Sequence, residues 1–321
     1  MPRMAMVEAL NLALKQEMKK DKRVLLLGED VGKDGGVFRA SDGLLKKFGA
    51  ERVIDTPVSE SGIVGASIGL AIAGFKPVAE IQFSGFLPPA FDQLLTHAAR
   101  MRNRSRGRYA VPMVVRCPYG GGVRALEHHS ESFEAAYAHI PGLKVVIPSR
   151  PYDAKGLLAS AIRGPDPVLF MEPKKVYRSV KEEVPEKEYL IPLGKANIVR
   201  HGSDVTVIAW GAMVKTALEA AEQSQYDIEV IDLRTIKPFD KKAILESAGK
   251  TGRVIVLHEA VKTGGWGAEI AASIAESGIR LKAPVKRVAS PDVIVPLLKS
   301  EDFFFPNAKT VLSAAEEMMR K

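Results

Sequence analysis

Two short segments of the chain carry side chains that can move protons. The segment DTPVSESGI contains Glu60 directly after Ser59, a residue type that favours the N-cap of a helix. The segment HHSES begins with two adjacent imidazoles, those of His128 and His129. Carboxylates and imidazoles are the groups that most often act as acids and bases near neutral pH. The two segments predict proton-transfer chemistry if the fold brings them together.

Each segment also has a purely structural explanation. A carboxylate in the first turn of a helix, such as Glu60, interacts with the helix dipole by about 0.3–1 kcal/mol and needs no catalytic role. The adjacent histidines follow a Gly-Gly-Gly run at residues 120–122 and could be metal ligands. A metal site needs a third ligand at a recognisable spacing, and the sequence shows none. Neither segment identifies a site by itself.

A third segment joins a strand pattern to an aromatic loop. Residues 80–86 read EIQFSGF, which includes Gln82 and ends at Phe86. The following PPAFDQ starts with proline, a residue that is tolerated in the first turn of a helix. The sequence therefore predicts a strand, a loop with an exposed ring, and a helix over residues 88–101.

Four familiar motifs are incomplete or misplaced. GKT at 249–251 lacks the first glycine of a phosphate-binding P-loop, and HE at 258–259 begins a zinc-protease motif that Lys262 interrupts. GWG at 265–267 is only half of a dinucleotide fingerprint. GASIG at 65–69 does fit the G-x-S-x-G motif of serine hydrolases. That motif works on a sharp strand-to-helix turn, whereas here it lies within an apolar helical run.

Strand and helix patterns alternate along the chain, which predicts an α/β fold with parallel sheets covered on both faces. Apolar residues at helical spacing define one face of the first helix, namely Val7, Leu10, Leu14 and Met18. The predicted strands are 24–27, 111–115, 143–147, 168–171, 205–209, 228–231 and 254–257. The later predicted helices are 88–101, 151–162, 213–223, 241–248, 268–276 and 308–319.

The alternation stops at residues 172–192, a charged stretch that holds three prolines and has no sustained period. We predict a linker there. The expected organisation is an N-terminal parallel-sheet domain at residues 1–175, a linker at 176–192 and a smaller C-terminal α/β domain at 193–321.

Composition excludes several classes of function. The 321 residues are 46% hydrophobic and 26% charged, as in a globular protein. Although the net charge is +8, the one dense basic cluster, at 100–108, has a single neighbouring aromatic and no nucleic-acid motif. A lone cysteine, Cys117, suits a reducing compartment. The longest apolar run, 63–75, is shorter than the ~20 residues of a membrane-spanning helix, and the first residues lack a signal-peptide core. We expect a cytoplasmic protein that binds neither nucleic acid nor membranes.

Together the three segments resemble the beta subunit of the E1 component of 2-oxo acid dehydrogenases, from about residue 4 to residue 320. The resemblance implies a transketolase-like fold whose first domain binds the pyrimidine ring of thiamine diphosphate. Further motifs agree, and they are GEDVG at 28–32, GGVFR at 35–39, PSRPYDAKGLL at 148–158, IDLRTI at 231–236, and Glu259 with the loop 264–269.

The resemblance also assigns expected roles to individual residues. Glu60 matches the glutamate that hydrogen-bonds the aminopyrimidine ring, a role that needs a site screened from water. Val58, Gln82 and Phe86 match positions that line the aminopyrimidine pocket. His129 matches the histidine that donates and accepts protons around the bound intermediate. These five residues form the predicted site.

The chain departs from a complete cofactor site in two ways. Glu131 stands where the family has glutamine, and it could either pair with His129 and raise its pKa or face solvent. The family holds Mg²⁺ and the diphosphate with a Gly-Asp-Gly segment, which this sequence lacks and which E1 enzymes carry on the alpha subunit. The resemblance therefore implies an α₂β₂ heterotetramer with an E1 alpha subunit. It further implies an E2 dihydrolipoyl acyltransferase partner, with Asp292 in a loop that could take part, and we consider a K⁺ site near residues 140–142.

The substrate is the least determined feature. The segment FLPPAFDQ at 86–93 looks more like the branched-chain enzymes than like typical pyruvate enzymes. We therefore favour oxidative decarboxylation of a branched-chain 2-oxo acid, with acyl transfer to the lipoyl group of E2. The alternatives are the beta subunit of a pyruvate dehydrogenase or of an acetoin dehydrogenase. A non-catalytic scaffold and a serine hydrolase are more distant alternatives.

Overall fold

The first helix of the fold is amphipathic, and its apolar face is buried. The computed structural model describes residues 1–320. Helix α1 (Met6–Lys20) packs against α6 (Pro151–Arg163), which starts with proline where the missing N–H breaks no helical hydrogen bond. The buried face of α1 contains the predicted residues Val7, Leu10, Leu14 and Met18.

A seven-stranded sheet forms the centre of the N-terminal domain. In spatial order its strands are β12 (Thr235–Lys237), β6 (Lys144–Val146), β7 (Val168–Pro173), β5 (Val114–Tyr119), β4 (Lys76–Glu80), β2 (Val24–Gly28) and β3 (Val53–Asp55). All neighbours are parallel except β12, which is antiparallel to β6. Along β5, Val114 enters one core and Val115 the other, as expected of a sheet covered on both faces.

The opposite face is covered by α3 (Glu60–Ile72) and residues 88–104. The prediction of a helix over 88–101 is confirmed in part, because the segment is helical but irregular. It consists of a 3-10 turn (Pro88–Ala90), a π-helix (Gln93–Ala98) and the short α4 (Met101–Arg104). The Ala99 N–H donates to the Leu94 carbonyl five residues back, at 3.0 Å, which widens the helix locally. Two further short helices are α2 (Leu44–Phe48) and α5 (Glu134–Ala138).

The C-terminal domain is built on a five-stranded sheet that confirms the predicted alternation. In spatial order its strands are β14 (Lys286–Ser290), β13 (Val254–Val261), β10 (Val205–Ala209), β11 (Ile228–Asp232) and the antiparallel edge strand β9 (Asn197–Arg200). Its helices are α7 (Ala212–Gln223), α8 (Lys241–Thr251), α9 (Gly267–Ala275), α10 (Glu301–Phe304) and α11 (Ala308–Met319).

The segment predicted as a linker lies along the N-terminal domain. Its strand β8 (Lys181–Glu183) pairs antiparallel with β1 (Arg3–Ala5). The ammonium of Lys155, on α6, donates to the Lys187 carbonyl at 2.7 Å, and Val184 is fully buried. Most of its charged side chains face solvent, while its backbone is held by the neighbouring domain.

The two domains also share their interior. Val207 of β10 belongs to the same core as Val114 of β5, and Ile208 belongs to the core of Val115. Strand β12, which follows β11 in the chain, returns to the edge of the first sheet. The C-terminal domain is therefore fixed against the loops that leave the first sheet.

Candidate active site

The parallel strands β3, β2, β4 and β5 end at one edge of the first sheet. Gly28, at the end of β2, pairs with Asp55 of β3 and with Glu80 of β4, and Glu80 pairs with Arg116 of β5. The segments that follow start side by side at the edge where open α/β sheets bind ligands. Every predicted site residue lies in these segments, namely Val58, Glu60, Gln82, Phe86 and His129.

Glu60 opens α3 at this edge. The Ser59 hydroxyl accepts a hydrogen bond from the Gly62 N–H at 3.3 Å, so Ser59 is the N-cap that the sequence predicts. The Glu60 carboxylate is half-buried, and within the described chain it has no hydrogen bond or ion pair. The pKa of Glu29 is raised by burial and then by the charges of Asp30 and Glu60. Glu60 therefore keeps its acceptor capacity free.

Two predicted pocket residues lie at the surface of this chain. Val58 is 70% exposed, because the loop between β3 and α3 runs over the outside of the sheet edge. Gln82 is half-buried in the bend after β4. The chain by itself does not give Glu60 the water-free surroundings that the sequence led us to expect.

Phe86 and His129 belong to one cluster of rings. Their centroids are 5.5 Å apart, and Phe83 lies 4.5 Å from His129 and 5.7 Å from Phe86. His128 contacts Phe86 as well, at 5.3 Å. Gly85 permits this approach, because a Cβ at that position would lie 1.9 Å from the His128 carbonyl oxygen. Edge-to-face contacts of this kind fix the orientation of the imidazole.

The surroundings of His129 favour its neutral form. Burial lowers its pKa and the neighbouring His128 lowers it further, while the Leu126 carbonyl acts in the opposite direction. Its Nδ1 atom is buried and has no hydrogen-bonding partner among residues 1–320. A buried polar atom without a partner is uncommon in folded proteins and is often explained by a functional role.

Neither expectation for Glu131 describes its position. The pKa of His129 is lowered, and Glu131 is not among the charges that act on it. The Glu131 side chain is half-buried beside a cavity of about 560 Å³, and burial and then Glu127 raise its pKa. Its backbone carbonyl accepts a hydrogen bond from Ser84 at 2.9 Å, which ties the histidine segment to the loop after β4.

Sequence reasoning missed Lys174, which lies beneath the ring cluster. Its ammonium group lies 5.5 Å from the centre of the Phe83 ring and has no hydrogen-bonding partner in the described chain. Burial lowers its pKa to about 7, against the opposing charge of Glu259. Lys174 also contributes to the lowered pKa of His129. A Lys-Lys pair at the start of a charged stretch gave no signal of burial.

The remaining motifs supply no site. Ser67 is fully buried within α3, and its hydroxyl donates to the Ile63 carbonyl at 2.8 Å, which excludes a nucleophile on an exposed turn. His258 is buried and stacks on Trp210, with centroids 5.2 Å apart. In residues 1–320, no three His, Cys, Asp or Glu side chains are grouped to hold a metal ion. Over the same residues, no helix combines the length and apolar character that a membrane crossing requires.

Comparison with known proteins agrees with this arrangement. The family profile described as "Transketolase, pyrimidine binding domain" matches residues 2–180, and "Transketolase, C-terminal domain" matches residues 194–311. The solved structure described as "Split gene transketolase, inactive beta4 tetramer" has a TM-score of 0.82 and 23% identity over 99% of each chain, which is a similarity of fold.

Closer relatives share the description "Pyruvate dehydrogenase E1 component subunit beta". The protein from Acholeplasma laidlawii is 50% identical over 319 residues, covering 98% of each chain. Those from Staphylococcus epidermidis and Staphylococcus aureus are 51% identical over 98% of each chain and 49% identical over 99% of each chain. From these matches and the two transketolase-type domains, the chain belongs to the family of E1 beta subunits of 2-oxo acid dehydrogenases.

Proposed function

We propose that this chain supplies the aminopyrimidine half of a thiamine diphosphate site, in an enzyme that decarboxylates a 2-oxo acid and transfers the acyl group. The observation that carries the proposal is a pair of free proton-transfer groups at one sheet edge. They are the Glu60 carboxylate and the Nδ1 atom of His129, neither of which has a partner within the described residues.

The residues present fit the aminopyrimidine end of the cofactor. Glu60 offers a free acceptor, the Gln82 amide can both donate and accept, and the Phe86 ring offers a surface for aromatic packing. When bound, thiamine diphosphate supplies the electron sink for cleavage next to the substrate carbonyl. The role of Glu60 is to hold a hydrogen bond to a pyrimidine nitrogen, and Val58 lies beside that position in the chain.

His129 acts as the second proton-transfer group. Its lowered pKa leaves the imidazole neutral near pH 7, so that one ring nitrogen can accept a proton while the other can donate one. The contact with Phe83 holds the ring in one orientation. This combination suits repeated proton transfer better than a mobile, charged histidine on the surface.

The other half of the site belongs to a partner. The described chain has no acidic cluster for Mg²⁺, and the exposure of Val58 leaves the Glu60 side of the site open. We propose that an E1 alpha subunit holds Mg²⁺ and the diphosphate, covers Val58 and completes an α₂β₂ heterotetramer. The E2 dihydrolipoyl acyltransferase then receives the acyl group. The relatives' own description, a beta subunit of an E1 component, supports this division of labour.

We propose pyruvate as the preferred substrate. The segment at 86–93 suggested a branched-chain 2-oxo acid, but the relatives named above are described as pyruvate dehydrogenase subunits. Identity near 50% over the whole chain outweighs the likeness of eight residues. An acetoin-cleaving enzyme remains the second candidate.

A K⁺ site near residues 140–142 is a separate part of the proposal. The nearby Asp166 carboxylate already accepts from Lys144 at 3.0 Å and pairs with Arg102 at 2.8 Å. If K⁺ binds at this turn, the assembled protein will melt at a higher temperature in KCl than in choline chloride. Equal melting temperatures would remove K⁺ from the account.

The test is a gentle affinity isolation of this chain from its own cells, followed by an activity panel. We expect a stoichiometric partner that carries the Gly-Asp-Gly segment. With that partner, thiamine diphosphate and Mg²⁺, decarboxylation should be faster with pyruvate than with branched-chain 2-oxo acids or acetoin. An assembly that neither binds thiamine diphosphate nor turns over any of these substrates would favour the scaffold alternative.

A further inference from the structure

One buried carboxylate of the C-terminal domain accepts hydrogen bonds from the loop that carries the two histidines. Glu301, the first residue of α10, is 2% exposed. Its Oε1 accepts from the Gly122 N–H at 2.6 Å, and its Oε2 accepts from the Arg124 N–H at 3.2 Å and from the Ser130 hydroxyl at 2.9 Å. Gly122 and Arg124 lie at the start of this loop and Ser130 lies near its end, so a single carboxylate joins the two ends of the loop.

Glu259 makes a second contact to the same loop. It is 3% exposed, accepts from the Gly121 N–H at 3.2 Å and forms an ion pair with Lys175 at 3.0 Å. Hydrogen bonds from N–H groups to a carboxylate are about twice as strong as those between neutral groups. The loop backbone has no helix or strand of its own between β5 and residue 127, so these carboxylates replace the partners that regular structure would provide.

The loop backbone packs closely against these two carboxylates, which restricts its position. A Cβ on Gly121 would lie 2.2 Å from a Phe305 ring carbon and 2.8 Å from the Glu301 Oε1 atom. A Cβ on Gly120 would lie 2.5 Å from the Glu259 Oε2 atom. Gly120 and Gly121 therefore let the loop lie directly against Glu259, Glu301 and Phe305 of the C-terminal domain, whereas a Cβ on Gly122 would lie 2.8 Å from the Lys175 Cγ atom.

We propose that Glu301 is a positioning residue: it holds the loop 121–130 in the conformation that presents His129 to the site. Ser130, which donates to Glu301, directly follows His129 in the chain, so loss of this hydrogen bond loosens the backbone beside the imidazole that packs on Phe83. The C-terminal domain thereby sets the geometry of a group that belongs to the N-terminal domain. The expected effect of Glu301 on turnover rests on the proposed role of His129, whereas the hydrogen bonds between Glu301 and the loop do not.

The test compares Glu301→Gln with Asp302→Asn in the assembled enzyme. Glu301→Gln keeps the size of the side chain but loses its charge and one acceptor. Asp302→Asn weakens only the half-exposed ion pair of Asp302 with Arg124, at 2.7 Å, and serves as the matched control. The readouts are hydrogen exchange of residues 121–130, the rate at which diethyl pyrocarbonate modifies His129, and kcat and KM for 2-oxo acid decarboxylation.

We expect Glu301→Gln to speed exchange in 121–130 at least tenfold and modification of His129 severalfold. The kcat should fall about tenfold or more with KM for the 2-oxo acid nearly unchanged, and Asp302→Asn should resemble the wild type in all three. If Glu301→Gln does not fold, Ser130→Ala removes one of the three bonds and should give a smaller change in the same direction. Unchanged exchange and modification overturn the proposal, and so does faster exchange with full kcat. If Glu301→Gln changes exchange and modification as expected but the wild-type assembly shows no decarboxylation, the proposed function would instead be refuted.

Discussion

The imidazole of His129 meets the ring of Phe83 edge to face, with centroids 4.5 Å apart and planes inclined by 75°. This contact joins the segment after β5 to the segment after β4, which are separated by more than forty positions in the chain. The neighbouring His128 instead tilts toward Phe86, with centroids 5.3 Å apart and planes inclined by 39°. The two adjacent histidines therefore have different surroundings, and we expect them to have different roles.

His129→Ala should reduce acyl transfer to a lipoyl acceptor by about 10²–10⁴-fold, the usual size of a lost general acid–base group. His128→Ala is the matched comparison, and it should cost less than tenfold because the His128 ring is one third exposed. The measurement is steady-state turnover with a lipoyl acceptor and with an artificial electron acceptor. Equal losses for the two variants would contradict the different roles.

Glu60→Gln should leave assembly intact and slow turnover by about 10²–10⁴-fold at saturating thiamine diphosphate, because the amide is a poorer proton-transfer partner than the carboxylate. Glu51→Gln, at an exposed position one strand earlier, should have no effect. Turnover and subunit stoichiometry are measured on the same preparations. Near-wild-type turnover of Glu60→Gln would remove this residue from the site.

The sequence predicts those parts of the molecule that depend on local pattern. The buried face of α1 follows from the spacing of Val7 and its neighbours, and the N-cap at Ser59 follows from residue type. The grouping of Phe86 with His129 at one sheet edge required the family resemblance, because no local rule relates positions so far apart.

The features that the sequence did not predict depend on contacts between distant segments. Strand β12 is only three residues long, and it is a strand because it hydrogen-bonds to β6 at the edge of the first sheet. Lys174 and Glu301 read as ordinary charged residues, and only the packing of the two domains buries them. The sequence also did not predict the exposure of Val58, a large apolar side chain that is 70% exposed.

Glu134→Gln should make the protein more stable than the wild type at high pH but not at low pH. Glu134 is fully buried, accepts a hydrogen bond from the Trp210 indole at 3.2 Å, and has its pKa raised from 4.5 to about 7, mainly by burial. The folded protein keeps this proton between pH 4.5 and 7 while the unfolded chain loses it, so wild-type stability falls over that range. The resulting loss of unfolding free energy between pH 4.5 and pH 7 is on the order of 3 kcal/mol.

The measurement is urea unfolding of the wild type and Glu134→Gln at pH 5 and pH 8. The variant retains an acceptor for Trp210, so the two proteins should be similar at pH 5, and the variant should be clearly more stable at pH 8. A difference in unfolding free energy that is the same at both pH values would show that Glu134 does not titrate in this range.

His258 should make the protein sensitive to acid. Burial lowers its pKa from 6.5 to about 4, with the Ala260 carbonyl opposing this and Arg287 adding to it. Below pH 6.5 this histidine is protonated in the unfolded chain but stays neutral in the folded protein, so stability falls as the pH drops toward 4. The loss by pH 5 is about 2 kcal/mol for this one group.

His258→Leu removes that titration together with the stack on Trp210. The variant should be less stable than the wild type at pH 7, yet lose less further stability between pH 6.5 and pH 5. Melting temperatures over that range provide the test. Parallel pH curves for the two proteins would assign the acid sensitivity to other groups.

We expect this chain to hold half of a cofactor site and to need a partner for the other half. Calorimetric titration of thiamine diphosphate, with Mg²⁺ present, into the chain alone and into the assembly with its co-isolated partner tests this most directly. We predict no measurable binding to the chain alone and one cofactor bound per copy of this chain in the assembly, weakened in Glu60→Gln. Tight binding by the chain alone, unaffected by Glu60→Gln, would contradict this expectation.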